Sequence, residues 1–123
     1  MPTLLWVAAA LSLFTAALHT FAGGAAVARP LLNDTTLPPA SKWLNYYCWH
    51  ITTVLLVFLA GGLALAAYDP AWRPVAIFLV PLCLVLGGLS SWVATKGQIA
   101  PLRFPSTSLF LAIAGVAAAG LWL

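Results

Sequence analysis

Long apolar stretches alternate with short polar segments along the whole chain. Four stretches, residues 4–28, 43–68, 75–95 and 106–123, have the length of about 17–25 residues that a helix needs to cross a hydrocarbon layer of about 30 Å. Because lipid offers no hydrogen-bond partner to backbone groups, each stretch is predicted to be a helix. The pattern predicts an all-α fold, an integral membrane four-helix transmembrane bundle with antiparallel up-down-up-down order, and a single transmembrane domain over residues 1–123.

Composition supports a membrane protein and argues against several kinds of chemistry. The chain is 63% hydrophobic and only 6% charged, and soluble domains carry about 25% charged residues. No Asp or Glu lies within a predicted span, which disfavours paired-carboxylate catalysis and acidic proton relays. Glycine patterns that bind nucleotide phosphates are missing. We expect neither an enzyme nor a nucleic-acid-binding protein, because the net charge of +3 belongs to the loops.

Basic residues are distributed unevenly between the loops. Arg29, Lys42, Lys96 and Arg103 belong to the first and third loops, and Arg73 alone to the second. Since Lys and Arg in short loops are retained in the cytoplasm, this bias predicts that both termini lie outside. We expect an inner membrane protein of a bacterium with periplasmic termini. We also expect the first stretch to stay in the protein, because it lacks the basic start and short apolar run of a signal peptide.

Small residues recur at three- and four-residue spacing in three spans. Helices in lipid associate through close approach of small side chains and through interhelical hydrogen bonds. These stripes are therefore predicted to face the inside of the bundle, with Gly87 and Gly115 at helix contacts. The predicted stripes are Ser12, Thr15, Ala16, His19, Gly23 and Ala26 in the first span, Cys83, Gly87, Ser90, Ser91 and Ala94 in the third, and Ser108, Ala112, Gly115 and Ala119 in the fourth.

The segment LNYYCWHITT, residues 44–53, is unusually polar for the start of a membrane span. Its aromatic residues fit the belt that Tyr and Trp form in the headgroup zone, which leaves its amide, imidazole and hydroxyl groups to bond across helices. His19 and His50 lie at similar distances from the basic residues of the first loop, so we predict that they meet in a polar pocket near the cytoplasmic end of the first two helices. The predicted ligand-binding residues are His19, His50, Asn45, Thr53, Tyr46 and Tyr47.

Three interpretations of the two histidines remain open. They form interhelical hydrogen bonds, they ligate a metal ion or haem iron, or they line the route of a small solute. The first favours a binding or assembly subunit, whose partners are the lipid bilayer and either further copies of the chain or other membrane subunits. The alternatives are a small-solute transporter or channel, and a membrane anchor that holds haem or a metal ion at His19 and His50.

Overall fold

The computed structural model describes residues 1–123, and its regular structure is entirely helical. In chain order the elements are α1 (Pro2–Ala17), a π-helical segment (Leu18–Ala28), α2 (Arg29–Asn33), α3 (Pro39–Tyr68), a 3₁₀ turn (Pro70–Trp72), α4 (Arg73–Lys96), a second 3₁₀ turn (Pro101–Arg103) and α5 (Pro105–Trp122). The first three run together as the first span, and α3, α4 and α5 are the cores of the other three. All four spans are long and apolar enough to cross a membrane. The chain is a small integral membrane protein with the predicted all-α four-helix bundle.

Prolines mark the starts of the helices. A proline occupies the first or second position of α1, α3, α4 and α5. There its missing N–H would have no partner in the helix anyway, and its fixed φ already suits a helix. The helices accordingly begin a few residues before the purely apolar stretches that predicted them.

The first span continues beyond the point where we predicted its end. The first stretch was predicted to end at residue 28, with Arg29 in the first loop, and this prediction is wrong, because the helix continues to Asn33. The N–H of Arg29 donates to the carbonyl of Gly24, five residues back, so the chain reaches Pro30 in the wide π-helical register. In an α-helix a proline leaves the carbonyl four residues back without its donor. Pro30 lies in the first turn of α2, directly after the π-helical segment, and a proline is tolerated at that position of a helix.

The four spans form a ring in which each contacts two others. The helix α1 packs against α3 and α5, and α4 packs closely against α5 and more loosely against α3. Buried leucines of α3 and Ile113 of α5 fill the centre. The π-helical segment has substantial tertiary contact only with α3. At the end that carries the first and third loops, here called the basic end, the first two spans therefore form a hairpin of their own.

The small-residue stripe of the first span faces inward only as far as the π-helical segment. Its members up to Ala16 are buried, and His19 and Gly23 are half-buried against the second span. Ala26 was predicted to face inward and is exposed, whereas Ala28 is buried. Because a π-helix has more residues per turn than an α-helix, the inward position moves further along the chain.

The stripes of the third and fourth spans have different outcomes. The third is confirmed, since Cys83, Gly87, Ser90 and Ala94 are buried and Ser91 is half-buried. The fourth is wrong, since Ser108, Ala112 and Gly115 are exposed and Ala119 is only half-buried. The inward face of α5 instead carries Phe110 and Ile113, which fill the centre of the ring, and Gly120, which lies against the backbone of Leu5.

The first loop is held in a fixed shape by Asp34. Its carboxylate accepts hydrogen bonds from the Thr36 N–H at 2.7 Å, the Thr36 hydroxyl at 2.8 Å and the Leu37 N–H at 3.0 Å. These bonds, that of the Thr36 hydroxyl first, hold the pKa of Asp34 below its ordinary value. The Lys42 ammonium donates to the Asp34 carbonyl at 2.8 Å. The loop thus fixes how the first two spans face each other.

Candidate functional site

The polar contact between the first two spans is centred on His19, which lies in the π-helical segment. The ring of His19 stacks on the indole of Trp49 in α3, with ring centroids 3.8 Å apart and planes 21° from parallel. Trp49 is nineteen residues before Tyr68, or about 28 Å along the helix axis. Since the hydrocarbon layer is about 30 Å thick, this stack lies near its boundary at the basic end.

Gly23 makes this close approach possible. A Cβ atom at this position would lie 2.7 Å from Cη2 of Trp49, which is closer than real Cβ atoms come to other atoms. The neighbouring Gly24 has open space where its Cβ would be. The indole of Trp49 therefore packs directly against the backbone of Gly23, where any Cβ atom would displace it, and next to the imidazole of His19.

Two acceptors lie at one nitrogen of the His19 ring. Its Nε2 is 3.1 Å from the carbonyl oxygen of Trp49 and 3.0 Å from Oγ1 of Thr53, whose hydroxyl also donates to the Trp49 carbonyl at 3.3 Å. A carbonyl oxygen only accepts hydrogen bonds. We therefore assign the proton of the neutral imidazole to Nε2, because an unprotonated Nε2 would face this oxygen lone pair to lone pair.

The assignment leaves a lone pair on the other ring nitrogen, Nδ1. This atom makes no hydrogen bond within the protein, and no side-chain nitrogen or oxygen is both buried and without a partner. Nδ1 of His19 is thus an accessible acceptor on a ring whose orientation is fixed by the stack and by two hydrogen-bond partners. Such a group can accept a hydrogen bond or bind a Lewis acid.

The other predicted site residues make no hydrogen bond or ring contact with His19. The ring of His50 is exposed and contacts Tyr46 edge-on, with centroids 4.5 Å apart. The side chain of Asn45 donates to the Ser41 carbonyl at 2.8 Å, and Tyr47 is exposed. No hydrogen bond or ring contact joins His50 to His19.

His50 does not reach His19 because its side chain leaves α3 in a different direction from those of Trp49 and Thr53. Trp49 and Thr53 are four residues apart and share one face of α3, whereas His50 follows Trp49 by one residue and is turned by about 100°. The expected depth of the two histidines agrees with the structure, since the neighbour of His50 contacts His19. The structure brings Thr53 to His19, as we predicted, and adds Trp49, which we had assigned only to the headgroup belt. The four-residue spacing of Trp49 and Thr53 was the available signal.

One further polar grouping contributes less chemistry. Ser90 of α4 shares hydrogen bonds with Ser106 at 2.6 Å and Thr107 at 2.8 Å, which joins the third and fourth spans through buried hydroxyl groups. No three side chains of His, Cys, Asp or Glu come together in a group that would hold a metal ion. The contact between His19, Trp49 and Thr53, here called the imidazole site, is therefore the candidate functional site.

Coupling between His19 and Thr53 is a testable consequence of this geometry. Thr53→Val removes the hydroxyl at nearly constant shape, and His19→Ala removes its partner. We expect the loss of stability in the double variant to fall short of the sum by about 0.5–1.5 kcal/mol, the range of interhelical hydrogen bonds in lipid. Thermal unfolding in detergent measures this, and the control pair His19→Ala with His50→Ala should be additive. Additivity in the first pair would contradict the assigned contact.

Comparison with known protein families, curated proteins and solved structures finds no match for this chain.

Proposed function

We propose that this protein is a small binding subunit of the membrane and that the imidazole site is where it binds. The observation that carries the proposal is the His19 ring, which is fixed through Nε2 by the Trp49 carbonyl and Thr53 and presents a free lone pair at Nδ1. A fixed acceptor near the edge of the hydrocarbon layer is suited to recognise a hydrogen-bond donor.

The surroundings of His19 define the class of ligand. Leu18 and Phe21 lie on the same segment and are 37% and 78% exposed, so the outer surface of this segment is largely apolar. A ligand that reaches Nδ1 through this surface needs an apolar body and one hydroxyl or N–H group. A strongly charged molecule would lose its hydration there without gaining an opposite charge.

Phenol and benzene form a matched pair of probes for this proposal, since they differ by a single hydroxyl donor. The measurement uses protein with ¹⁵N-labelled histidine in lipid nanodiscs. Phenol should shift the Nδ1 resonance of His19 saturably, and benzene should not. The resonances of His50 are the internal control. An equal response to both probes, or none to phenol, would contradict the proposal. A Soret band in the absorption spectrum of the purified protein would instead assign haem to the histidines.

The orientation in the membrane is a separate part of the proposal. The first and third loops carry four basic residues and the second carries one, so we place the basic end in the cytoplasm and both termini outside. Reporters fused to either terminus should then be active on the external side, and a tag beside Asp34 on the cytoplasmic side. A cytoplasmic C-terminus would contradict this orientation.

A further inference from the structure

A proton on His19 changes what the imidazole site can bind. In the neutral ring the proton is on Nε2, and Nδ1 presents a lone pair. Nδ1 has no partner in the protein, and no side-chain nitrogen is both buried and without a partner, so this atom is reachable from outside. A second proton goes to Nδ1, since both nitrogens of an imidazolium are donors. The free position of the ring then turns from an acceptor into a charged donor.

The contacts that hold the ring suit both of its protonation states. The carbonyl oxygen of Trp49, 3.1 Å from Nε2, and Oγ1 of Thr53, at 3.0 Å, accept from the Nε2 proton in either state. The ring also stacks on the indole of Trp49, with centroids 3.8 Å apart. A cation within about 6 Å of the face of a tryptophan is attracted by its π electrons. The same contacts therefore orient the neutral ring and the imidazolium.

The protein supplies no negative charge beside this ring. Its two acidic residues are Asp34 and Asp69, and neither lies in the first span or in α3. Asp34 follows His19 by fifteen residues and Asp69 follows Thr53 by sixteen, which are distances of about 20 Å or more along a helix. A charge at the edge of the hydrocarbon layer is costly unless an opposite charge pairs with it. The partner of the imidazolium must therefore come from outside the protein.

The titratable groups around the ring are basic or neutral. The π-helical segment packs against α3 and continues the helices α1 and α2. The helix α1 has no titratable side chain, and α2 has only Arg29. The basic groups favour an anion at this end of the bundle, and His50 is a second imidazole whose protonation must be separated from that of His19 by experiment. In the first half of α3 the titratable residues are Lys42, Tyr46, Tyr47, Cys48 and His50.

We infer that the imidazole site binds an amphiphilic anion together with a proton: the Nδ1–H of the imidazolium donates to an anionic oxygen of a ligand whose body is apolar. An apolar body suits the surface that Leu18 and Phe21 give this segment. The neutral ring offers a charged ligand no opposite charge, and the proton, taken up from water at the basic end, supplies it. The hydrogen bond between the two ions is of the charge-assisted kind, about twice as strong as a neutral one. The inference rests on the proposed function, because it needs the same ring in the same orientation.

Benzenesulfonate is the probe, because it is an anion at every pH of the test and shares its phenyl body with phenol and benzene. The full chain with ¹⁵N-labelled histidine is placed in nanodiscs of phosphatidylcholine, a lipid without net charge. At about pH 5, benzenesulfonate should shift the Nδ1 resonance of His19 saturably. At about pH 8 its affinity should be lower by about tenfold or more, because histidine changes its charge between these values. By reciprocity, bound benzenesulfonate should raise the pH at which His19 gains its proton.

Phenol at about pH 8 separates this inference from the proposed function. A shift of Nδ1 by phenol, without any response to benzenesulfonate at the lower pH, would overturn the inference and leave the proposed function in place. No response to either probe would overturn both. Benzene at the lower pH is the control for the phenyl body and should leave the resonance unchanged.

His50→Gln and His19→Gln are matched variants, since each replaces one imidazole by an amide that does not titrate. His50→Gln should keep the saturable response and its dependence on pH. In His19→Gln the binding of benzenesulfonate at the lower pH, measured by saturation transfer to the ligand, should fall to the level seen at the higher pH. A response that persists in His19→Gln, disappears in His50→Gln or is equal at both pH values would overturn the inference. The measurements on the unmodified protein and on His50→Gln need no change at His19, so they decide the question even if His19→Gln unfolds.

Discussion

Gly87→Leu should lower the stability of the bundle more than any other single change considered for this protein. Gly87 is buried on α4, and a Cβ there would lie 2.9 Å from Cδ2 of Leu111 and 3.7 Å from its backbone nitrogen. A leucine fits there only if the side chain of Leu111 moves away, and because Gly87 is buried, we also expect α4 and α5 to move apart. We expect a loss of about 1–3 kcal/mol or more, as for other overpacked sites, and a fall of several degrees in the unfolding temperature in detergent.

Gly115→Leu is the control for this change on the neighbouring helix. Gly115 is exposed, and a Cβ at that position would have no atom within 4 Å. Its leucine variant should unfold at the same temperature as the unmodified protein or slightly above it, because leucine favours a helix more than glycine does. From the sequence we expected both glycines at helix contacts. Equal losses in the two variants would support that earlier expectation against the structure.

The spans and their order could be predicted because the signals that define them are long and additive. Twenty apolar residues in a row have few alternatives to a membrane helix. The inward stripe of α4 was also predictable, since Cys83, Gly87 and Ser90 alternate with larger residues at helical spacing.

The orientation of α5 was not predictable in this way. Nearly every residue of this helix is apolar, so both of its faces are acceptable to lipid and the sequence pattern does not distinguish them. The small-residue rule selected Ser108, Ala112 and Gly115, but the centre of the ring also needs volume, which Phe110 and Ile113 provide. The face of α5 that turns inward is decided by the space between the other three helices, and no local sequence pattern indicates the shape of that space.

The candidate site was predicted only in part from the sequence. A histidine within a span must find a partner, so His19 and a hydroxyl such as Thr53 could be chosen from the sequence. The π-helical register of residues 18–28 has no sequence signal as distinct as a proline or a capping residue, and it changes which residues of the first span face α3. Trp49 was missed because a tryptophan near a membrane boundary is already explained by the headgroup belt.

Gly23→Ala and its neighbour Gly24→Ala test the geometry of the imidazole site with a single methyl group each. At Gly23 the methyl would lie 2.7 Å from Cη2 of Trp49, so the indole must shift and its stack on His19 must loosen, whereas at Gly24 it would meet no atom within 4 Å. We expect Gly23→Ala to lose about 1–3 kcal/mol by overpacking and Gly24→Ala to be neutral or to gain up to about 1 kcal/mol from the higher helix propensity of alanine. Thermal unfolding in detergent measures the difference, and the ¹⁵N resonances of His19 should move in the first variant alone.

Because phenol binding requires the fixed ring, the response of Nδ1 to phenol should weaken in Gly23→Ala and persist in Gly24→Ala. If both variants behave alike, the contact of Trp49 with Gly23 does not hold the imidazole, and the site loses the element that fixes its acceptor.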